Sequence, residues 1–368
     1  MSMIYAKAAP AGRFARSERD GLGAGIRAAD FRELISQGGI TQPRVWPTIP
    51  RDITARTGML ARPLIEPSHP DAVAPERSRT LESNGAMLRL HEWGDPERPP
   101  VILSHGMFDH SRGFDLLAPY LAEHYRVVAM DARGHGDSDW CDSYLWGMDV
   151  FDVVNVLRAL DRPAHLIGHS KGGGQVMEAA AMAPHRVRQV VNMDGFGPPD
   201  DGFFQKPGGR DPNWMTVAER CAEFLDRRRT ASLRESWRPY ESLDELVKRR
   251  KQQNPLLEDP WLSYFIFHGA REDKDGWRWK CDPHTAGGNF GPFKPAWIAP
   301  GWRRMKAPLL ALIGSLPDTW GPLPKDLLDG RLENVANLTR ATVAGAGHFI
   351  HMQQPAAAAG LMLDFLDR

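Results

Sequence analysis

Three cysteines in 368 residues are too few and too scattered to organise this chain. Cys141, Cys221 and Cys281 are odd in number and form no C-x-x-C pair, which excludes a disulfide framework and a cysteine-built metal site and points to a reducing, cytoplasmic setting. Long apolar runs are also missing. None approaches the ~18 residues that a membrane span requires, and Met1 to Arg13 lacks the apolar centre and small-residue cleavage site of a secretory leader. Excess charge of either sign is absent, with 46 basic and 46 acidic residues. A nucleic-acid or membrane-surface partner is therefore not expected. No phosphate-cradling glycine loop and no metal-ligand spacing occurs, so neither cofactor nor metal is expected.

What the chain does have is punctuation of a specific kind. Residues 165–173 read His-Leu-Ile-Gly-His-Ser-Lys-Gly-Gly, an apolar run ending in Gly168-His169-Ser170-Lys171-Gly172 and passing directly into a helix-like segment. G-x-S-x-G between strand and helix describes a sharp turn with a serine at its apex. The serine backbone is strained there, so the positions two residues away must lack side chains. Its hydroxyl is presented at the positive end of a helix, where a nucleophile and a developing negative charge are both favoured.

Around this turn the pattern alternates. Arg79–Leu81, Met87–Glu92 and Val101–Ser104 read as strands, Phe114–His124 as a helix, Arg126–Met130 as a strand, Asp149–Leu160 as a helix, and Ala164–Gly168 as the strand before the serine. Gln175–Ala183 continues the next helix and Val187–Met193 holds another strand. The alternation stops over residues 200–300, where helical segments (Val217–Arg229, Leu243–Gln253, Trp261–Gly269) are joined by Gly/Pro-rich links. It resumes at Leu309–Ile313, a helix near Leu323–Leu328, and Leu338–Val343. The expected organisation is an N-terminal arm (1–77, with a short helix at 28–36), a first part of an α/β core (78–199), a helical cap (200–302) and the rest of the core (303–368).

A serine needs a base, and the base needs an orienting acid. His348 is the base candidate, on the glycine-rich loop Val343-Ala-Gly-Ala-Gly-His348-Phe behind a strand. His351 is close by, in a setting that favours packing. Two aspartates compete as the acid: Asp318, past the strand Leu309–Ile313 and preferred, and Asp194, in Val191-Asn-Met-Asp194-Gly at another strand end. The oxyanion would be held by two backbone N–H groups, of Lys171 behind the nucleophile and of Met107 in the loop Ser104-His105-Gly106-Met107-Phe108. His105 reads as a structural histidine, and the Lys171 side chain as salt-bridged or solvated. Seven of the 12 tryptophans fall between residues 200 and 302. Phe108, Trp214, Trp261 and Phe265 are candidate substrate contacts, although aromatic residues also pack caps.

These motifs together resemble the α/β-hydrolase superfamily, in its capped serine hydrolase group. The matching pieces are the 104–108 loop, Asp131-Ala-Arg133-Gly-His135-Gly-Asp-Ser138-Asp139, the 168–173 elbow and Gly345-Ala-Gly-His348. Trp277-Arg-Trp279-Lys280-Cys-Asp282-Pro283 resembles the segment that ends such caps and packs them on the core. The resemblance implies a mostly parallel eight-stranded sheet flanked by helices, with the inserted helical cap and the N-terminal extension. It also implies that Arg133 and His135 brace the loop near the oxyanion site. Where relatives have Gly-x-x-Asp after the strand before the acid, this chain has Gly314-Ser-Leu-Pro-Asp318, one residue longer, which keeps Asp194 in contention. A serine nucleophile sets the chain apart from the epoxide hydrolases and haloalkane dehalogenases, which use a carboxylate. The expected activity is cleavage of an ester or lactone bond in a mostly apolar small molecule through an acyl-enzyme. A C–C bond hydrolase of β-diketone substrates, an acyltransferase, a cofactor-free haloperoxidase and a non-catalytic binding protein are the alternatives. The extension could complete the cleft, cover the cap or mediate a homodimer, or equally be a passive arm.

Overall fold

The computed structural model describes residues 66–141, 144–197, 238–287, 298–318 and 320–368, with 218, 219, 222, 225 and 226, all within the unit Ile65–Arg368. The expected helix at 28–36, the rest of the 1–65 stretch, Trp214 and most of the expected helix Val217–Arg229 lie outside the described residues.

An eight-stranded sheet is built from β1 (Arg77–Ser83), β2 (Ala86–Trp93), β3 (Pro100–Ser104), β4 (Arg126–Met130), β5 (Ala164–His169), β6 (Val187–Met193), β9 (Leu309–Gly314) and β10 (Leu338–Val343). Its order is β1-β2-β4-β3-β5-β6-β9-β10. β1 and β2 are antiparallel to their neighbours and the rest are parallel. β3, β5 and most of β4 are buried throughout, as strands covered on both faces must be. Their Val/Ile/Leu runs supply that apolar content.

Helices cover both faces. α2 (Trp146–Ala159) and α3 (Lys171–Met182) pack with the turn Ala299–Arg304 and α6 (Lys325–Leu332) on one side, burying Val150, Val153, Leu157, Val176 and Trp302. On the other, α1 (Ala118–Ala122) and α8 (Pro355–Leu366) bury Leu117, Leu121, Met362 and Phe365. The expected helix Phe114–His124 is instead a 3₁₀ turn (Ser111–Phe114) followed by the short α1, whose first turn holds Pro119. Proline sits comfortably there but lacks the N–H that would carry a helix through from Phe114.

Between β6 and β9 lies the insertion. Its described part holds α4 (Leu243–Gln253) and α5 (Asp259–Gly269). It also holds a two-stranded hairpin, β7 (Ala270–Asp273) with β8 (Gly276–Trp279), so the insertion is not purely helical. Trp261, Leu262, Phe265 and Ile266 of α5 form a third apolar cluster with Leu116, Phe349 and Met352 of the core. The expected arm reaches the core before its end. Val73 N–H donates to the Asp115 carbonyl at 3.0 Å, and the Val73 carbonyl accepts from Trp93 Nε1 at 2.8 Å.

Candidate active site

Ser170 follows β5 directly with φ 54° and ψ −121°, a left-handed backbone that a side chain tolerates only when its surroundings enforce it. The surroundings do so through hydrogen bonds. Ser170 N–H donates to the Met193 carbonyl at 3.0 Å, and the Ser170 carbonyl accepts from Gly173 N–H at 2.9 Å as α3 begins. Gly172 lets α3 start against β3, since a Cβ there would collide with the Ser104 carbonyl. Lys171 is the first residue of α3, where backbone N–H groups have no partner within the helix. Its side chain turns inward to a buried ion pair with Asp149, Nζ to Oδ2 2.6 Å. Burial raises the Asp149 carboxyl above its usual range against the pull of Lys171. That cation is committed to the core and does not face a substrate.

His348 lies on the loop between β10 and α7 (Ile350–Gln353). Its ring Nδ1 is 2.7 Å from Asp194 Oδ2, with both side chains buried. Asp194 follows β6 at once and also has a positive φ, 51°. The preference for Asp318 as the imidazole's partner is thereby corrected. Asp318 Oδ2 accepts the backbone N–H of His348 at 2.6 Å, and its Oδ1 accepts from Trp320 N–H at 2.8 Å and Gly321 N–H at 3.1 Å. Three main-chain donors thus occupy a carboxylate carried one residue further along its loop than in the family pattern. It shapes the loop that carries His348 and leaves the ring to Asp194.

The 104–108 loop meets Ser170 closely. A Cβ on Gly106 would stand 3.2 Å from Ser170 Cβ and 3.0 Å from His169 Nδ1, so only glycine lets the loop come this near. Met107 is partly exposed beside it, and Phe108 is bent to φ 60° with a third of its surface open. His105 Nδ1 lies 2.7 Å from the Gly106 carbonyl while its Nε2 accepts from Ala132 N–H at 2.9 Å. These partners assign the Nδ1–H tautomer, and burial lowers its pKa. His105 is the structural histidine the sequence suggested.

The turn after β4 is braced the same way. Arg133 grips Asp152 with two nitrogens, each at 2.7 Å, and Ser83 Oγ donates to the same carboxylate. His135 Nδ1 is 3.0 Å from the Arg133 carbonyl. Asp131 Oδ1 receives both the N–H and the hydroxyl of Ser111. The segment after β8 ties the insertion to this turn: Asp282 N–H donates to the Gly134 carbonyl at 2.7 Å, and Tyr144 hydroxyl donates to Asp282 Oδ2.

Of the candidate substrate contacts, Phe108 is at the site. Trp261 and Phe265 are almost fully buried in the seam between insertion and core, where Phe265 stacks on His110 with ring centroids 4.4 Å apart. Both serve packing. His351 is buried against Phe114 and His169, and burial holds its pKa well below the usual histidine range.

The sequence reading did not single out Asp109 or Arg250. Asp109 follows the 104–108 loop and forms a buried ion pair with Arg250 of α4. Its Oδ2 is 3.7 Å from His169 Nδ1, and His169 Nε2 in turn lies 3.0 Å from the His348 carbonyl. An aspartate three residues past Gly106 was a visible signal; a single buried arginine within Lys248-Arg249-Arg250-Lys251 was not. Among the described residues one group, His91, Asp131 and Asp137, brings three metal-capable atoms within 4.8 Å of one another. There Asp131 is already held by Ser111 and Asp137 N–H, and Asp137 pairs with Lys280. No helix among the described residues is long and apolar enough to cross a membrane.

A serine hydrolase-like protein of Dictyostelium discoideum is 24% identical over 310 residues, spanning 77% of this chain and 82% of its own. A probable serine hydrolase of Drosophila melanogaster is 27% identical over 288 residues, 74% of this chain and 82% of its own. The thioesterase domain from the curacin biosynthetic pathway shares the fold with a TM-score of 0.65 at 22% identity, covering 78% of this chain and 99% of that domain. The two serine hydrolase-like relatives support a hydrolase, and the likeness to the thioesterase domain shows the fold. The model of the alpha/beta hydrolase family matches residues 101–361, more than half of the sequence, and the chain belongs to that family.

Proposed function

We propose that this chain is a serine hydrolase that cleaves an ester or lactone bond of a mostly apolar small molecule through an acyl-enzyme, with Ser170, His348 and Asp194 as its triad. The observation that carries the reading is the Asp194–His348 contact, with the His348 ring packed at 4.7 Å on His169, the residue before a serine on a strained elbow. A carboxylate on Nδ1 fixes the tautomer with the proton there and leaves Nε2 as the acceptor.

In this reading His348 Nε2 removes the Ser170 proton as Oγ attacks the substrate carbonyl. The electron pair of the C=O bond moves onto oxygen. Backbone N–H groups of Met107 and Lys171 stabilise that oxyanion, at the end of α3 where the helix dipole adds to them. His348 then protonates the leaving oxygen, and the C–O bond breaks. Water, deprotonated by the same imidazole, releases the acid and restores Ser170. Asp194 supports the transient imidazolium throughout. The Lys171 cation next to Ser170 is taken up by Asp149 in the core and is not offered to a substrate.

The test is hydrolysis of p-nitrophenyl butyrate by wild type and Ser170→Ala, with fluorophosphonate labelling beside it. The expected result is wild-type turnover and labelling, both abolished by the substitution, with kcat falling by roughly 10³-fold or more. Full activity in Ser170→Ala would overturn the assignment.

A further inference from the structure

Two catalytic loops and the insertion meet at one guanidinium. Helix α4 is strongly basic, and its charged residues Lys248 and Arg249 are exposed, as a solvated helix face requires. Arg250 is the exception, 8% exposed and buried on the same face as Leu246. Its Nη2 donates to Asp109 Oδ1, and its guanidinium carbon lies 5.5 Å from the ring centroids of both Phe265 and Phe349. Phe349 is the residue after His348. Asp109 closes the turn that carries Gly106 and Met107, with Asp109 N–H directed at the Gly106 carbonyl at 3.4 Å. One planar cation from the insertion therefore touches the loop proposed to hold the oxyanion and the residue behind the proposed base.

We propose that Arg250 is a positioning residue, which through Asp109 and Phe349 sets the oxyanion loop and the His348 loop in register only when the insertion is seated on the core. The proposal rests on the serine hydrolase reading. Its physical basis is the mismatch between what this pair does for stability and what it fixes. A buried ion pair is often no more stabilising than well-packed apolar residues of similar volume. Displacement of catalytic groups by about 1 Å, by contrast, can cost ~10²-fold in rate. The forked guanidinium and its two aromatic faces suit a geometric role, which a lysine's point charge does not reproduce. Asp109 also continues the chain of contacts to His169 and the His348 carbonyl, so its displacement reaches both loops.

The experiment measures kcat and KM on p-nitrophenyl butyrate, the rate of fluorophosphonate labelling and the thermal midpoint for Arg250→Met, Arg250→Lys, Asp109→Asn and the double variant R250M/D109N. Each single change to Met or Asn strands a buried charge and is expected to lower the midpoint. The double variant strands none and is expected to recover most of it. If Arg250 positions the loops, the double variant stays at least tenfold below wild type in kcat and in labelling rate while its KM moves less than threefold, and Arg250→Lys is intermediate. A refolded double variant with kcat and labelling within threefold of wild type would overturn the proposal and leave the hydrolase reading intact. Wild-type protein that neither turns over the ester nor labels at Ser170 would overturn that reading and this proposal with it.

Discussion

Asp194 Oδ2 sits 2.7 Å from His348 Nδ1, while the aspartate at the next strand end, Asp318, holds the same residue by its backbone N–H at 2.6 Å. Two carboxylates thus serve one histidine in different ways, and substitution separates them. Asp194→Asn keeps the shape but presents an amide to Nδ1, favouring the wrong tautomer. Its kcat is expected to fall by roughly 10³–10⁴-fold with little change in folding. Asp318→Asn weakens bonds to three main-chain donors, costs about 1–3 kcal/mol of stability, and lowers kcat far less. Steady-state kinetics and denaturant unfolding of the two variants check the contrast; equal losses of kcat would contradict it.

Gly106→Ala is expected to damage activity more than folding. The new methyl would meet Asp109 Oδ2 at 2.9 Å and His169 Nδ1 at 3.0 Å, so the loop must shift away from Ser170. A decrease of about 10²-fold in kcat is the expected size for losing one oxyanion donor. The thermal midpoint measured alongside tells a displaced loop from a collapsed core.

Asp115 gives a pH signature. It is fully buried under α5, where Tyr264 hydroxyl donates to its Oδ2 at 2.5 Å and Arg112 Nε at 2.7 Å, yet burial pushes its carboxyl up to about 6. A carboxyl raised on folding contributes stability that is complete below its unfolded pKa near 4 and is lost as pH rises through 6. The loss amounts to about 3 kcal/mol for a shift of this size. Asp115→Asn removes that titration. The difference in unfolding free energy between wild type and variant should therefore change with pH between 4 and 6, in the direction of a relatively weaker wild type at the upper end. A pH-independent difference would refute it.

Breaking the Arg133–Asp152 pair should be costly on one side and mild on both. Both side chains are almost fully buried. Arg133→Met alone strands a buried carboxylate and is expected to destabilise by about 3–5 kcal/mol. Combining it with Asp152→Leu should restore a good part. A double-variant cycle in urea measures the coupling.

The fold and half of the site were legible because they rest on local pattern. The elbow needs glycines at fixed offsets from Ser170, and the buried strands are continuous apolar runs; Arg126–Met130 and Val187–Met193 agree to the residue. The acid was ambiguous because Asp194 and Asp318 end adjacent parallel strands, β6 and β9. Which of them faces an imidazole arriving from β10 is set by the course of the loop beyond each strand, which the local sequence pattern does not record. The hairpin β7–β8 was hidden because Arg-Glu-Asp and Gly-Trp-Arg-Trp carry too few residues to show a period of two. Arg250 was hidden for another reason: in sequence it is one basic residue among four, and only its partner Asp109, 141 positions away, distinguishes it.

Four described residues other than glycine have a positive φ, and three of them, Phe108, Ser170 and Asp194, belong to the site. Such conformations cost on the order of 1–3 kcal/mol when the side chain is bulky, less for aspartate. A laboratory selection for heat resistance alone would therefore be drawn toward the reaction centre. Replacing Phe108 with glycine would relieve the backbone strain, and it would also free the loop to wander. Durability and turnover are set against each other at the same few peptide units, so variants chosen for survival must be screened for catalysis in the same round.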